Sequence, residues 1–313
     1  MQPIFHDIPN NTNPDMLSIA VVGTSSPSAA SVVDAMIQAG MDVTIGSVFP
    51  YADARRFPKA HIQHCNVFDA DSVALLLEGR QAVYVEGVMQ HGQKESDHLM
   101  EREGLRTLLA IGHVVGIERI CYRAPLMIDD VSDGHKTWWV HAVQRQAVDT
   151  VCNGRIPYTV YRTSSFMEDI AMTCMWGRRA LVAGRGARKH WFIALADYAR
   201  QVVRSLVVES TLNTTYPIQG AEGFTLEQAF EVWQRVRPGH APRLQSVPLP
   251  LLHAAALFYP RLRSSIKEAA AMSGYSERFQ AERTWRDLGR PRISLEQFFA
   301  QWKGALPHDG TSS

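Results

Sequence analysis

Residues 17–40, LSIAVVGTSSPSAASVVDAMIQAG, decide the fold of this chain. Leu17–Gly23 is a short, nearly continuous apolar run with several β-branched residues, the pattern of a strand covered on both faces. Ser26 suits the cap of a following helix, Pro27 suits its first position, and Gly40 follows its last apolar residue. The stretch therefore predicts a buried strand, a tight turn and a helix, in that order.

Strands and helices go on alternating as far as residue 162. The strand-like runs are Asp42–Val48, His61–Val67, Gln81–Val85, Glu118–Tyr122 and Tyr158–Arg162. The helical segments between them are Ser72–Leu77, Glu101–Val115 and Val140–Cys152. Because such alternation forces right-handed crossovers, it predicts an α/β fold with a doubly wound parallel sheet and helices on both faces.

The composition excludes several classes of protein. With 313 residues, 46% of them hydrophobic and 20% charged, the chain has an ordinary globular composition. A net charge of +1 provides no basic field for nucleic acid or an anionic membrane. No apolar run reaches the roughly 18 residues of a membrane span, and the N-terminus has no basic, apolar leader. We expect a cytoplasmic protein that binds neither nucleic acid nor membrane and is a monomer or homodimer.

The residues beyond 165 predict a smaller, mostly helical lobe. A helix is expected over Asp197–Val207 and a strand over residues 214–220. Two more helices should begin after Thr225 and Ser294, because each is followed by glutamine at the third position of a capping box.

Several segments resemble, in order and spacing, the NmrA-like atypical short-chain dehydrogenase/reductases. They are VVGTSSPSAASVV (21–33), CNVFDADSV (65–73), HVVGIERICY (113–122), NGRIPYTVYRTSSFMEDI (153–170), ADYA (196–199) and TYPIQGAEGFTLEQA (215–229). The C-terminal AERTWRDLGRPRISLEQFFAQW (281–302) is similar to the last helix of these proteins. The resemblance implies a Rossmann fold, often with NADP(H), in a reductase or a redox-sensing regulator.

The chain is expected to have four parts. They are a flexible tail at 1–15, a Rossmann dinucleotide-binding-like domain at 16–165, a smaller substrate lobe at 166–305 packed on it, and a frayed tail at 306–313.

Carried over residue by residue, the resemblance places NADP or NAD against six residues. Those beside the pyrophosphate are Gly23, Ser25, Ser26 and Ala29, and those beside the adenine are Asn66 and Val67.

The nucleotide loop departs from the family pattern. Of the three glycines in GxxGxxG only Gly23 remains, with Ser26 and Ala29 in the other two places. Pro27 lacks an N–H that a phosphate would accept. Val48 stands where the family places an arginine for the NADP 2′-phosphate. The choice between NADP, NAD and no cofactor therefore stays open.

Two further departures concern charged residues. Arg55 and Arg56, seven and eight residues after Val48, either fold back toward the 2′-phosphate position or are solvated surface charges, and the second interpretation is the simpler one. Arg123 and Ala124 occupy the positions of the family's Ser/Thr, and the family's lysine aligns with Val143. The usual Ser, Tyr and Lys machinery is absent.

The catalytic candidates follow the strands, because ligands of open α/β sheets lie outside the carboxyl ends. Glu86 follows the fourth strand and Arg123 the fifth. They either pair as a structural ion pair or anchor and protonate a substrate in a dry pocket. His141 opens the helix before the sixth strand, and is either a general acid or base or a surface or capping histidine.

A substrate pocket is expected around the sixth strand and the helix before it. Its candidate residues are Trp138, Trp139, Ser164, Ser165, Phe166 and Met167, although aromatic residues at such a junction are often simply core. No metal site is expected, because His61 and His64 are three residues apart on a strand and point to opposite faces.

Three functional hypotheses follow. The first is an NAD(P)(H)-linked reductase of a mid-sized, partly apolar organic substrate, with His141 or Glu86 as proton donor. The second is a non-redox isomerase, cyclase or dehydratase that no longer needs the cofactor. The third is a nucleotide-sensing regulator without catalysis.

Overall fold

The fold was analysed in a computed structural model that describes residues 17–87, 92–129, 138–172, 175–176, 179–183, 188–239, 241–258, 266 and 275–302. The tails expected at 1–15 and 306–313 lie outside these residues. Among the helices described, none is both long and apolar enough to cross a membrane.

A parallel sheet of seven strands forms the centre of the protein. Its strands are β1 (Ser18–Val22), β2 (Asp42–Ser47), β3 (His61–His64), β4 (Ala82–Glu86), β5 (Arg119–Pro125), β6 (Tyr158–Thr163) and β9 (Thr214–Ile218). Their order is β3-β2-β1-β4-β5-β6-β9, and every neighbouring pair is parallel. From β1 the chain adds β2 and β3 on one side, and it then returns to add β4 and the later strands on the other side. A crevice is therefore expected above the carboxyl ends of β1 and β4, where the strand order reverses. The predicted doubly wound fold is confirmed.

Helices cover both faces of this sheet. One face packs against α1 (Pro27–Gln38) and α7 (Leu195–Val207), and the other against α3 (Ala70–Leu77), α4 (Leu105–Val115) and α5 (Trp139–Cys152). Alternate residues of β1 enter different cores: Ile19 and Val21 on the α1 face, Ala20 and Val22 on the α3 face. Burial on both faces explains the unbroken apolar run that predicted this strand.

Local signals fix the ends of the helices near the crevice. The Ser26 hydroxyl accepts the N–H of Ala29 at 3.0 Å, and Pro27 fills the first position of α1. A turn of π-helix, Met100–Gly104, precedes α4. The sequence did not predict α2 (Pro50–Arg56), which follows β2, because none of its residues is buried and it has no apolar face to detect.

The C-terminal region adds helices and a small second sheet. Its helices are α6 (Met167–Met172), α8 (Leu226–Val236), α9 (Leu249–Phe258), α10 (Glu282–Leu288) and α11 (Leu295–Gln301). The strands β7 (Met175–Trp176), β8 (Arg179–Ala183) and β10 (Arg243–Val247) form a sheet in the order β10-β8-β7. Both predicted capping boxes, at Thr225 and Ser294, are confirmed.

Two expectations for this region need correction. The segment similar to one last helix forms two, α10 and α11, because Gly289 has a φ of +88° and Pro291 follows it. The strand expected in the smaller lobe, β9, extends the main sheet beside β6. Residues beyond 165 therefore contribute to both sheets, and the domain boundary at 165/166 stays a prediction.

Asp197 ties the C-terminal segment to the main sheet's helix α7. Its carboxylate accepts the backbone N–H groups of Arg292 and Ile293, each at 2.9 Å, and pairs with Arg200 at 2.7 Å. The Asp197 side chain is only 3% exposed.

We predict that Asp197→Ala lowers the free energy of unfolding by about 3 kcal/mol, because it leaves two backbone N–H groups without their acceptor and Arg200 without its carboxylate partner, with the Arg290 carbonyl remaining. Urea denaturation measures the change. Glu231→Ala, on the exposed side of α8, is the control and should stay within about 0.5 kcal/mol of the unmodified protein. Equal stabilities of the two variants would contradict this account of the C-terminal segment.

Candidate active site at the carboxyl edge of the sheet

The turn between β1 and α1 packs directly on the end of β4. Gly23 has a φ of +90°, and a Cβ there would lie 2.5 Å from the carbonyl oxygen of Glu86. Glycine is therefore required at this position. Ser25 and Pro27 are exposed on the outer side of the turn.

Glu86 places a buried carboxylate beneath the N-terminus of α1. Its Oε1 accepts hydrogen bonds from the hydroxyls of Ser28 at 2.5 Å and Ser26 at 3.3 Å, and its Oε2 accepts one from Tyr84 at 2.5 Å. The Tyr84 hydroxyl also contacts that of Tyr198 at 2.8 Å. Burial, and then the Glu86 charge, raise the pKa of Tyr84 well above its ordinary value, so it remains a donor. The partial positive charge at the N-terminus of α1 also stabilises the Glu86 carboxylate.

Arg123 supplies a cation to the same Glu86 oxygen that Ser26 and Ser28 contact. Its Nη1 lies 3.6 Å from Glu86 Oε1, and its Nε donates to Thr163 Oγ1 at 3.0 Å. The guanidinium also lies 5.3 Å from the ring centroid of Phe166. Burial is the largest single influence and lowers the pKa of Arg123, but Glu86 together with Tyr198, Tyr84 and Asp169 outweighs it, so the pKa is raised. Glu86 and Arg123 therefore form the internal pair that was one of the two alternatives from the sequence.

A second buried carboxylate lies at the end of β6 and was not predicted. Glu277 accepts hydrogen bonds from Ser164 Oγ at 2.8 Å, Gln219 Nε2 at 2.6 Å and the backbone N–H of Trp191 at 3.4 Å. His190 Nδ1 lies 3.6 Å from Glu277 Oε2. Carboxylate, imidazole and hydroxyl thus meet at the carboxyl edge of the sheet.

Aromatic rings surround the imidazole of His190. The ring centroids of Tyr275 and Phe192 are 6.0 Å and 5.7 Å from it. The His190 side chain keeps 6% of its surface exposed, whereas Glu277 keeps 1%. The carboxylate is therefore internal, and the imidazole is the member of the pair closer to solvent.

Adjacent residues of the chain join these two charged groups. Thr163, the last residue of β6, accepts from Arg123, and Ser164 donates to Glu277. The edge of β4, β5 and β6 is thus lined by Glu86, Arg123 and Glu277 with their partners. No sequence signal pointed to Glu277, because it follows no strand and lies 113 residues from Ser164.

The predicted pocket residues after β6 lie beside this group. The backbone carbonyl of Ser165 accepts the N–H of Ile193 at 3.2 Å, and the backbone N–H of Met167 donates to the Ile193 carbonyl at 3.0 Å. Phe166, which is buried, forms an isolated parallel β-bridge with Ile193. Ser164 to Met167 therefore hold the segment that carries His190, and Phe166 and Met167 enter different apolar cores.

The other predicted residues lie at the start of α5, which packs on the opposite face of the sheet from α1 and α7. Trp138 precedes Trp139 there, and both are half-buried. The imidazole of His141 packs edge-on against Trp138 at 5.2 Å. Burial, and then the Arg145 charge, lower the pKa of His141. His141 therefore lies on a different face of the sheet from Glu86 and Arg123.

The predicted adenine positions follow β3. Asn66 is exposed, and its Oδ1 accepts the N–H of Phe68 at 3.1 Å. Val67 packs against Gly104, where a Cβ would lie 2.8 Å from Val67 Cγ2. Exposed apolar side chains follow β2 and β3 at this end of the crevice. They are Val48 at 54%, Phe49 at 72%, Tyr51 at 87% and Phe68 at 46% exposure.

Arg56 folds back onto the β1–α1 turn. Its guanidinium donates to the carbonyl of Thr24 at 2.6 Å and to that of Ser26 at 3.2 Å. Of the two interpretations of Arg56, folding back toward the turn is the one that the structure shows. The reason is α2, which turns the chain back toward the loop and was not predicted.

Over the described parts of the chain, no three His, Cys, Asp or Glu side chains lie close enough together to hold a metal ion.

Comparison with known proteins places this arrangement in a fold. Leucoanthocyanidin reductase from Vitis vinifera, solved with NADPH, is 16% identical, with 91% of this chain and 98% of that chain covered and a TM-score of 0.72. An NADPH-dependent quinone oxidoreductase from Escherichia coli, also solved with NADPH, is 15% identical over 90% and 98%, with a TM-score of 0.68. The chain has the fold of these reductases.

A sugar-nucleotide enzyme shares the fold too. A nucleoside-diphosphate-sugar epimerase from Staphylococcus aureus is 16% identical, with 91% of this chain and all of that chain covered and a TM-score of 0.68. No protein-family model matches the chain, and no curated protein matches its sequence. The Rossmann architecture implied by the NmrA-like resemblance is therefore confirmed as a fold.

The residues present fit an adenine dinucleotide, with one unfavourable feature. Gly23 keeps the tight turn on β4, and α1 directs its N-terminus at the crevice. Arg56 and the exposed apolar residues add a cation and a surface for a base. Against this, the hydroxyls of Ser26 and Ser28 are already bonded to Glu86.

Glu168, next to the predicted pocket, generates a prediction for pH. Both its carboxylate oxygens accept the Leu195 N–H at 3.2 Å, at the N-terminus of α7. Burial raises the pKa of Glu168 to about 7 from 4.5, and these hydrogen bonds only partly oppose the shift. Because the folded protein holds this proton more tightly, the stability present below pH 4.5 is lost as the pH rises toward 7.

We therefore expect Glu168→Gln to gain about 3 kcal/mol relative to the unmodified protein between pH 4.5 and 8. Urea denaturation at several pH values measures the difference. Glu227→Gln, in the exposed first turn of α8, is the matched control and should show no such trend. A pH-independent difference for Glu168→Gln would show that its proton affinity does not change on folding.

Proposed function

We propose that this protein binds NADP(H) across the carboxyl edge of its sheet and acts as a reductase of a mid-sized, partly apolar carbonyl compound. The observation that carries the proposal is the Gly23 turn, which leads into the N-terminus of α1 where the strand order reverses. Structural neighbours with this fold were solved with NADPH. When bound, a nicotinamide supplies the hydride.

Arg56 favours NADP(H) over NAD(H). Its exposed guanidinium is fixed at the turn by two backbone carbonyls, and it retains N–H groups for a phosphate. The family's arginine position is Val48, so the cation would come from the following helix instead. The exposed rings after β2 and β3 supply an apolar surface for the adenine.

His190 is the best-placed proton donor on this chain. Glu277 orients the imidazole from its Nδ1 side, which leaves Nε2 for the oxygen of a substrate. Ser164 and Gln219 hold the carboxylate in turn. Glu277 is therefore a positioning residue in this proposal, and His190 is the catalytic one.

The two donors suggested by the sequence are less suitable. Both oxygens of Glu86 accept hydrogen bonds within the protein, and its side chain has no exposed surface. His141 lies on the α5 face, where burial lowers its pKa and so disfavours the protonated form. Arg123 remains available to orient a substrate oxygen beside Phe166.

A non-redox acid–base enzyme is the second candidate. The group of His190, Glu277 and Ser164 is complete without any residue of the β1–α1 turn, and this observation favours it. If the protein binds no pyridine nucleotide and its acid–base activity requires His190, the non-redox function is the correct one.

The cofactor proposal predicts the effect of Arg56→Ala. The dissociation constant for NADPH should rise at least about tenfold, because a charge-assisted phosphate contact is lost, and that for NADH should stay within about twofold. Nicotinamide fluorescence titration measures both. Arg55→Ala removes the neighbouring exposed arginine and is the control. Equal losses for NADPH and NADH would contradict the assignment of Arg56, and no binding of either nucleotide would contradict the proposed function.

The proton-donor proposal predicts that His190→Gln lowers kcat at least about 100-fold, the range in which general acid catalysis is found. NADPH oxidation is followed with a panel of quinones and aldehydes. NADPH affinity should be unchanged, which separates chemistry from binding. His141→Gln is the control, and a loss with this variant but not with His190→Gln would reverse the assignment.

A further inference from the structure

The N-terminus of α1 already holds an anion that belongs to the protein. No acidic residue lies in the first turn of α1. The negative charge comes instead from Glu86, on β4, whose carboxylate accepts the hydroxyls of Ser26 and Ser28. This is the end of the helix at which the fold would receive a diphosphate.

The donors that a diphosphate needs are partly committed to that carboxylate. Ser28 donates to Glu86 at 2.5 Å, and Ser26 both donates to Glu86 and caps the Ala29 N–H. Pro27, between them, has no N–H to offer. A diphosphate would therefore meet fewer free donors than the helix end suggests.

Arg123 does not remove the charge as seen from the turn. The strand order places β4 next to β1 and β5 one strand further away. Arg123 is also drawn toward β6 by Thr163 and Phe166. Glu86 Oε1 is in direct hydrogen-bond contact with Ser26 and Ser28 at the start of α1, whereas Arg123 approaches the same oxygen only to 3.6 Å. Because solvent screens charges weakly in this buried setting, the carboxylate repels an anion that binds at the N-terminus of α1.

We propose that Glu86 sets the affinity of this site for nucleotides by repelling their diphosphate. The inference rests on the proposed function, because it concerns the same nucleotide site. Removing the Glu86 charge should therefore raise the affinity of a ligand in proportion to the negative charge that the ligand places at the N-terminus of α1. A ligand whose only phosphate lies at Arg56 should gain little affinity.

The test compares Glu86→Gln with the unmodified protein by calorimetric titration with NADPH, ADP and adenosine 2′-monophosphate. Glutamine keeps the size of the side chain and an acceptor oxygen but removes the charge. We expect NADPH and ADP to bind at least about tenfold more tightly to the variant, equal to about 1.4 kcal/mol. Adenosine 2′-monophosphate, which has no diphosphate, should stay within about twofold.

Glu168→Gln, measured at pH 8, is the matched control, because at that pH it removes the charge of another buried carboxylate at a helix N-terminus, that of α7. It should leave all three affinities unchanged. If Glu86→Gln does not fold because Arg123 is left unpaired, Glu86→Gln/Arg123→Gln removes both charges and should still bind NADPH and ADP more tightly than the unmodified protein, but by less than the single variant, because loss of the Arg123 charge offsets part of the gain. A rise in melting temperature with ADP provides a second readout of binding.

The outcomes separate the inference from the proposed function. Equal NADPH affinities for the folded variant and the unmodified protein overturn the inference and leave the proposed function standing. An equal gain for adenosine 2′-monophosphate also overturns it, because the effect is then not at the diphosphate. No binding of NADPH to either protein overturns the proposed function and the inference with it.

Discussion

The carboxylate of Glu86 and the hydroxyls around it connect the elements that form the crevice. A buried charge is unfavourable unless partners compensate it. Here the partners come from the start of α1, from Tyr84 on the same strand and from Arg123 on β5. Tyr84 continues the network to Tyr198 on α7. One internal anion therefore fixes a turn, two strands and two helices relative to one another.

The same edge carries a second internal charge, at a different position. The Glu86 group lies under the β1–α1 turn, whereas Glu277 and His190 lie where β6 meets the C-terminal segment. Thr163 and Ser164 belong to different groups although they are adjacent in sequence. In the proposed reaction, one group governs the affinity for the nucleotide and the other supplies the proton. The fold alone does not decide this, because chemistry resides in such sites.

The sequence predicted the parts that depend on local pattern. Leu17–Gly23 and the Ser26–Pro27 start of α1 were recognisable because burial on both faces and capping leave local signals. Glu86 and Arg123 were found because they follow predicted strands. Glu277 was not, because only the tertiary fold brings it to Ser164 across an irregular segment. The sequence could not decide whether Arg56 folds back, because α2 buries no residue and so shows no periodic pattern.

The most direct test of the whole account is a crystal structure of the unmodified protein grown with NADPH. The account predicts nucleotide density with its diphosphate at the N-terminus of α1, beside Ser25 and Ser26, and its 2′-phosphate at Arg56. Density for the nucleotide elsewhere on the protein, or none at saturating NADPH, would contradict it.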